Sequence, residues 1–183
     1  MIQYCEHEPP RILYTYDNWT HMPTSADQLR IEDALENMAN PKQVWLHIGI
    51  GNSSLAKRFA WRVKRIDGIT VAQEEIDTAP NIQNYIVSFC DKHSQRFLKQ
   101  WKYDVIIDTT PCGHACCKKH LNDYFDYVFA MLAPDGIYLT DRAGLAWAQP
   151  TSKGMTPSEF THAISRLNVK VKFITEFVME VSQ

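Results

Sequence analysis

The sequence predicts an α/β fold: a doubly wound, mostly parallel β-sheet with helices on both faces. Segments with the pattern of strands alternate with segments of helical periodicity along most of the 183 residues. The inner strands are apolar at nearly every position, which is typical of parallel strands buried on both faces. A turn with two glycines follows the first strand, at the place where such a sheet reverses its strand order and binds ligands.

The N-terminal part of the chain predicts a lid followed by a helix. Residues 1–23 are rich in aromatic side chains and show no period. Ser25 and Gln28 have the spacing of a capping box, which predicts a helix start. Apolar residues at helical spacing follow, and the helix is expected to end near Asn40-Pro41.

Five strands are predicted in the middle of the chain. Each is a short run of apolar or β-branched residues with glycine, proline or polar residues at its ends. They are Gln43–Ile50, Gly68–Gln73, Asn84–Asp91, Tyr103–Pro111 and Ile137–Asp141. The link after the second strand is near the minimum length of a crossover, so its helix is expected to be very short.

Helices are predicted between these strands. Asn52 or Ser53 is placed to cap the helix after the first strand. A short helix is expected over Ser94–Trp101. The widest apolar stripe covers Leu121–Leu132 and predicts a helix that covers the core.

The C-terminal part is predicted to add one helix and one or two strands. Asp141 is expected to cap the turn after the fifth strand, and residues 142–155 are expected to form a loop. Thr156 to Glu159 has the cap, the proline and the glutamate of a helix start. Val169–Val181 then closes the sheet, with an antiparallel strand. The whole chain, 1–183, is predicted to be one domain.

Composition restricts the partners and the location. A net charge of −2 provides no basic surface for nucleic acid. No apolar run is long enough to span a membrane, and the N-terminus lacks the pattern of a signal peptide. The five cysteines are an odd number, with three in one cluster. These features predict a cytoplasmic protein with reduced thiols and no nucleic-acid or membrane partner.

The order of motifs over residues 43–141 resembles the class I S-adenosylmethionine-dependent methyltransferases. A strand, a G-x-G turn and a helix begin at Val44. "GITVAQEE" (68–75) is similar to cyclopropane-fatty-acid-synthase-type methyltransferases, and "YDVIIDTTPCGHA" with "FDYVFAMLAPDGIYLTD" resembles spermidine synthases. The third small residue of a dinucleotide-binding fingerprint is missing, which disfavours NAD and FAD.

The resemblance implies a Rossmann-like domain that binds S-adenosyl-L-methionine. Residues 1–41 would form the N-terminal lid and helix, 43–141 the cofactor-binding core, and 142–183 the C-terminal helix and strand. It further implies a small-molecule substrate, because the remaining chain is too short for a separate module that binds a macromolecule.

The resemblance also implies which residues hold the cofactor. Gly49 and Gly51 would pass under its methionine and ribose parts. Val71 and Glu75 would flank the ribose, with Glu75 as the hydrogen-bond acceptor. Asp91 would accept a hydrogen bond from the adenine amino group, beside Cys90, and Asp108 would face the methionine part or the substrate.

Two further cofactor-site positions depart from the family. His47 stands where the family commonly has an acid, and Ser53 stands where it commonly has glycine. A histidine does not supply the negative charge of a carboxylate toward the ammonium group of the cofactor.

Candidate catalytic residues lie near the strand ends and in the N-terminal segment. A base is needed only where the nucleophile carries a proton in the transition state. The candidates are Asp108, His114 and Tyr16, with His21 as a further possibility. Tyr14, Tyr16 and Trp19 are expected either to cap the pocket or to pack the first helix onto the sheet.

Residues 111–120, "PCGHACCKKH", concentrate cysteine and histidine. The cluster comprises Cys112, His114, Cys116, Cys117 and His120. Its spacing does not match the paired cysteines of a structural zinc site, so no metal is assigned. A substrate-pocket loop, a reactive thiol and plain burial of a cysteine remain open.

The sequence therefore favours a methyltransferase that acts on a small molecule. Two alternatives remain: transfer or cyclisation of the aminoalkyl chain, which releases methylthioadenosine, and a non-catalytic subunit that keeps the fold.

Overall fold

The computed structural model describes residues 19–93, 102–115, 117–148 and 153–183. The strands are β1 Val44–Ile48, β2 Arg65–Thr70, β3 Tyr85–Phe89, β4 Tyr103–Asp108, β5 Leu132–Asp141, β6 Lys170–Phe173 and β7 Val178–Ser182. They form one seven-stranded sheet in the order β3-β2-β1-β4-β5-β7-β6. The first five strands are parallel, and β7 runs antiparallel to both β5 and β6. The predicted α/β fold with antiparallel C-terminal pairing is confirmed.

Helices cover both faces of the sheet, as predicted. They are α1 Ala26–Leu35, α2 Ser54–Phe59, α3 Gln73–Asp77, α4 Lys118–Ala130, α5 Arg142–Ala146 and α6 Pro157–Ile164. Alternation along β1 divides the core in two. Trp45 packs in the core that α1 and α2 cover, whereas Leu46 and Ile48 pack in the core that α4 and α6 cover.

The start of α1 differs from the prediction in its chemistry. Ser25 occupies the N-cap position, but its side chain makes no capping hydrogen bond. Gln28 is buried, and its amide donates to Glu32 Oε1 at 3.0 Å and accepts from Thr109 Oγ1 at 2.6 Å. These two bonds, one within α1 and one to β4's following residue Thr109, occupy the side chain that a capping box requires, so that prediction is wrong. The helix itself ends at Leu35, earlier than expected.

Between residues 132 and 155 the chain contains more secondary structure than the sequence predicted. Residues 133–136, which precede the predicted fifth strand, form an irregularity within β5, since Tyr103 pairs with Leu132 and Val105 pairs with Ile137. The predicted loop contains α5, which Asp141 caps by accepting from the backbone N–H of Ala143 at 2.8 Å.

The capping prediction for α6 is confirmed, with Thr156 and Glu159 forming both bonds of a capping box. The short helix after β2 is also confirmed. The expected helix over 94–101 lies outside the described residues. None of the described helices has the length and apolar character needed to cross a membrane.

The strand order determines where a ligand can lie. From β1 the chain builds the sheet toward β2 and β3, and from β4 it builds the other half. The connections therefore diverge between β1 and β4, and a crevice opens at their carboxyl ends.

Candidate active site

The turn between β1 and α2 contains two glycines in left-handed conformations. Gly49 has a φ of 78° and Gly51 a φ of 50°. Residues with a Cβ rarely adopt such angles, which favours glycine here. A Cβ added to Gly49 would meet no atom within 4 Å, and a Cβ added to Gly51 would lie 3.7 Å from the Cβ of Trp19. The backbone of Gly49 therefore faces open space.

That open space is a cavity of about 410 Å³ at the carboxyl ends of the strands. It brings together most of the residues predicted from the sequence. The predicted residues that line it are His47, Gly49, Gly51, Val71, Glu75, Cys90, Asp91, Asp108, His114 and Trp19.

Ser53 lies behind this wall and does not line the cavity. Its side chain is buried, and its hydroxyl is 3.1 Å from the hydroxyl of Tyr85. It is not the side-chain cap of α2 either; the Asn52 carboxamide accepts from the Ser54 N–H at 3.0 Å. Ser53 is therefore not part of the cavity lining, and its predicted cofactor contact stays a prediction.

Glu75 lines the cavity as a buried carboxylate with two partners. Its Oε2 accepts from the hydroxyl of Thr70 at 2.6 Å, and its Oε1 accepts from the backbone N–H of Trp19 at 3.2 Å. A carboxylate has about four acceptor positions, so both oxygens keep capacity for a ligand hydroxyl. Thr70 was missed in the sequence, although its place at the end of a strand was a usable signal.

Cys90 and Asp91 follow β3 and form the far end of the cavity. One Asp91 carboxylate oxygen accepts from the backbone N–H of His93 at 3.0 Å, and burial raises the pKa of Asp91. Burial also raises the pKa of Cys90 to about 12, so this thiol is protonated at neutral pH.

Asp108 is buried in a polar network at the end of β4. The ammonium of Lys92 lies 2.9 Å from Asp108 Oδ2, the hydroxyl of Tyr124 donates to the same oxygen, and the backbone N–H of Thr110 donates to Oδ1 at 3.1 Å. Both carboxylate oxygens of Asp108 therefore accept from neighbouring donors. Lys92 was missed because only the fold brings the loop after β3 beside β4.

His114 lies on the loop after β4 and lines the cavity with Trp147. The two rings meet edge to face with centroids 6.0 Å apart. Burial and the nearby ammonium of Lys92 lower the pKa of His114, which keeps its imidazole neutral at neutral pH. Trp147 follows α5, in a segment that the sequence indicated only as a loop.

The N-terminal segment from Trp19 to Thr24 covers one side of the cavity. Asn52 anchors it by donating to the carbonyl oxygen of Met22 at 3.0 Å and to Thr24 Oγ1 at 3.1 Å. His21 is exposed and lies 3.7 Å from Glu74, outside the cavity wall. Tyr14 and Tyr16 lie outside the described residues.

The cysteine–histidine cluster is divided between the cavity wall and the core. Cys112 and Cys117 are buried free thiols, and Cys117 Sγ lies 3.2 Å from His120 Nδ1. Burial raises the pKa of Cys112 to about 11. Within the described ranges, which omit Cys116, no three potential metal ligands are grouped to hold an ion.

His47 is the most buried histidine of the cavity, at 1% exposure. Burial lowers the pKa of this imidazole to about 4. Neither ring nitrogen has a hydrogen-bond partner in the described part of the chain.

The strand order and the turn define the fold class: the chain has the Rossmann-like fold of class I S-adenosylmethionine-dependent methyltransferases. Neither a protein-family model nor a curated protein matches the sequence. The N-methyltransferase NodS from Bradyrhizobium japonicum, solved with S-adenosyl-L-homocysteine, is 14% identical at a TM-score of 0.65, over 91% of each chain.

Two further solved structures share this fold. An amino pentose methyltransferase of calicheamicin biosynthesis from Micromonospora echinaspora, bound to S-adenosylmethionine, is 12% identical at a TM-score of 0.64, over 84% of this chain and 88% of that one. An S-adenosylmethionine-dependent methyltransferase from Clostridium acetobutylicum is 12% identical at a TM-score of 0.64, over 92% of each chain.

Proposed function

We propose that this protein binds S-adenosyl-L-methionine in the cavity at the ends of β1 to β4 and transfers its methyl group to a small molecule. One observation carries the proposal. The fold gathers the glycine turn, Glu75 and Asp91 around a single open cavity of about 410 Å³. This volume lies within the roughly 300–1,000 Å³ common for small-molecule sites.

The charge of the cavity supports a cationic ligand. Asp27, Glu75, Asp91 and Asp108 line it, and Lys92 is the one lysine among the lining residues in the described part of the chain. The lysine is paired with Asp108, so the remaining carboxylates leave the cavity negative. A negative, partly desolvated wall favours a ligand that carries a sulfonium and an ammonium group.

Each part of the cofactor has a matching part of the wall. The open backbone at Gly49 and Gly51 would lie against its methionine and ribose parts. Glu75, which Thr70 orients, would accept from the ribose hydroxyls, with Val71 beside the ring. Asp91 would accept from the adenine amino group.

When bound, the sulfonium of this cofactor supplies an electrophilic methyl group. The residues of the chain then have to align a nucleophile and exclude water, which can supply a large part of the rate enhancement. His114 is neutral and half-buried, so it is suited to accept a proton from an attacking hydroxyl or amine. Asp108, whose carboxylate is paired with Lys92, and Tyr16 stay predictions.

A small-molecule substrate agrees with the size of the domain and with the neighbours. The amino pentose methyltransferase acts on a sugar, and its chain has nearly the same extent as this one. The described cysteines Cys90, Cys112 and Cys117 are free thiols, which supports a reducing, cytoplasmic location.

Titration calorimetry with S-adenosylmethionine and S-adenosylhomocysteine tests the cofactor. We expect the Gly49→Asn variant to bind at least about tenfold more weakly than the wild type, because asparagine tolerates a positive φ and its side chain fills the cavity. Gly49→Ala carries the strain of a φ of 78° but adds only one methyl group in open space, so it separates backbone strain from filling of the cavity and should bind more tightly than Gly49→Asn. Thermal unfolding of both variants checks that the fold is retained.

Product analysis tests the reaction. Incubation of the protein with S-adenosylmethionine and the small-molecule fraction of a cell extract should release S-adenosylhomocysteine. Release of methylthioadenosine would instead indicate aminoalkyl transfer. No binding of the cofactor at millimolar concentration would overturn the proposal and leave a non-catalytic subunit as the better hypothesis.

A further inference from the structure

We infer that the acceptor of the methyl group is an amine, which enters the cavity as an ammonium ion and binds near the end of β4 between the Asp27 carboxylate and the Trp147 ring. This inference rests on the proposed function, because the adenosyl ligand takes the ends of β1 to β3 and leaves the rest of the cavity to the acceptor. The class of acceptor, which the proposed function leaves open, follows from the charges and rings of that remaining wall.

One side of the cavity is built by α1, the loop after β4 and the residue that follows α5. Gln28 joins α1 to the end of β4, since its amide oxygen accepts from Thr109 Oγ1 at 2.6 Å. Asp27 precedes Gln28 and lines the cavity together with His114 and Trp147. The two carboxylates assigned to adenosine follow β2 and β3, on the other side of β1. Asp27 is therefore the carboxylate that remains for the acceptor.

The charge of Asp27 is not balanced by a cation of the cavity wall. In the described part of the chain its Oδ1 accepts from the backbone N–H of Gln28 at 3.0 Å, and it forms no salt bridge. The charge of Arg30 reaches Asp27, but the Arg30 guanidinium forms hydrogen bonds of 2.7 and 2.8 Å with Asp141. Lys92, the one lysine or arginine among the described lining residues, is engaged in its own salt bridge. A half-buried carboxylate in this situation attracts a cation and repels an anionic acceptor.

The Trp147 ring supplies a second contact for an ammonium ion. The ring is half-buried and packs against the backbone of Gly113, where an added Cβ would lie 3.0 Å from Trp147 Cζ3. It also meets His114 edge to face, with centroids 6.0 Å apart. The face of an indole ring attracts ammonium groups, and more strongly where water is excluded. A carboxylate and an aromatic ring on one wall together favour an amine over an alcohol or a carboxylic acid.

The transfer requires the neutral form of the amine. The ammonium ion first gives one proton to the neutral imidazole of His114, which leaves a lone pair on nitrogen. This lone pair forms the new N–C bond to the methyl group while the S–C bond breaks and its electron pair stays on sulfur. The products are a methylated ammonium ion and S-adenosylhomocysteine, and the His114 imidazolium then releases its proton to solvent.

Two ligands of equal shape test the ammonium site without turnover. Choline and 3,3-dimethyl-1-butanol differ only in a positive nitrogen that replaces a carbon. In calorimetry on protein loaded with S-adenosylhomocysteine, we expect choline to bind at least about tenfold more tightly than the alcohol. Asp27→Asn should remove most of this preference and Trp147→Leu part of it, and both variants should bind S-adenosylhomocysteine within about twofold of the wild type.

Asp33→Asn is the matched control for Asp27→Asn. It makes the same change on the same helix, in an exposed side chain that pairs with Arg58 and does not line the cavity. The preference for choline should be unchanged in this variant. An acidic residue in the first turn of a helix also stabilises that helix. A lower melting temperature of Asp27→Asn with an unchanged preference would therefore show a merely structural role and overturn the inference.

Fractionation of a cell extract by charge gives a second readout. With methyl-labelled S-adenosylmethionine, the label should pass to small molecules that a cation exchanger retains. Equal binding of choline and the alcohol, or labelled acceptors confined to the anionic or neutral fraction, would overturn the inference and leave the proposed function intact. Protein that does not bind S-adenosylhomocysteine, or that binds it and transfers no label in any fraction, would instead overturn the proposed function.

Discussion

Asp108 lies in the predicted place, at the end of β4 on the cavity wall, and has charged and polar partners that the sequence did not predict. Its position at the end of β4 made it a candidate for contact with the methionine part or the substrate. In the structure its carboxylate is 1% exposed and paired with Lys92, which is itself 11% exposed. Removing two charges from water is costly, and good geometry with further donors is needed to compensate. Tyr124 and Thr110 supply those donors.

At this scale we predict that Lys92→Met lowers the free energy of unfolding by about 3 kcal/mol, because it leaves Asp108 buried and unpaired. Urea denaturation measures the change. The double variant Lys92→Met/Asp108→Asn removes both charges and should recover much of the loss. A single-variant cost below about 0.5 kcal/mol would indicate that the pair behaves like an exposed one.

At the scale of elements, the segment from Trp19 to Thr24 and the turn after β1 act together. Asn52 donates to Met22 and Thr24 and also accepts from the backbone N–H of Ser54, the first residue of α2. Trp19 adds a backbone hydrogen bond to Glu75. One wall of the cavity is therefore built from a separate segment that a few side chains hold in place.

We predict that Asn52→Ala releases this segment and raises hydrogen exchange in residues 19–25 by about tenfold, since each lost hydrogen bond contributes about 1 kcal/mol. Cofactor affinity should fall in parallel. Asn40→Ala is the matched control, because the Asn40 side chain accepts from the backbone N–H of Lys42 on an exposed turn far from the cavity lining. Unchanged exchange in Asn52→Ala would mean that other contacts hold the segment.

At the scale of the whole molecule, two buried neutral histidines couple stability to pH. Burial lowers the pKa of His47 to about 4 and that of His93 to about 3. A histidine in an unfolded chain has a pKa of about 6.5. Between these values the unfolded chain binds more protons than the folded one, so stability is fully present above about pH 6.5 and is lost as the pH falls toward 4.

We therefore predict that the free energy of unfolding decreases on acidification from pH 6.5 to 4.5, with a slope of about 1.4 kcal/mol per pH unit for each histidine. Urea denaturation across this range measures the slope. His47→Leu should lower this slope by the contribution of one histidine. Burial raises the pKa of Asp91, and this makes its effect on the pH dependence of stability opposite to that of the histidines. Because both proteins contain Asp91, comparing them at each pH cancels its contribution. Equal slopes for the wild type and His47→Leu would show that the His47 imidazole is already protonated, or accessible to solvent, in the folded protein.

The sequence predicted the elements that depend on local chemistry. Alternation of strand and helix, the apolar stripe of α4 and the cap at Thr156 all arise from neighbours in the chain. Prediction from the sequence failed for side chains whose hydrogen-bond partners lie far away in the chain. Gln28 bonds Thr109 from across the fold rather than capping its own helix, and Ser53 turns toward Tyr85.

By itself, the sequence determined an α/β sheet with a glycine turn at the end of β1, because periodicity and the lack of a Cβ act within a few residues. Only the tertiary structure decided which side chains meet at that turn. Lys92 reaches Asp108, Trp147 reaches His114, and His47 is buried without a partner. Burial and pairing between residues far apart in the chain set the charges of this site, and neither is encoded in any local pattern.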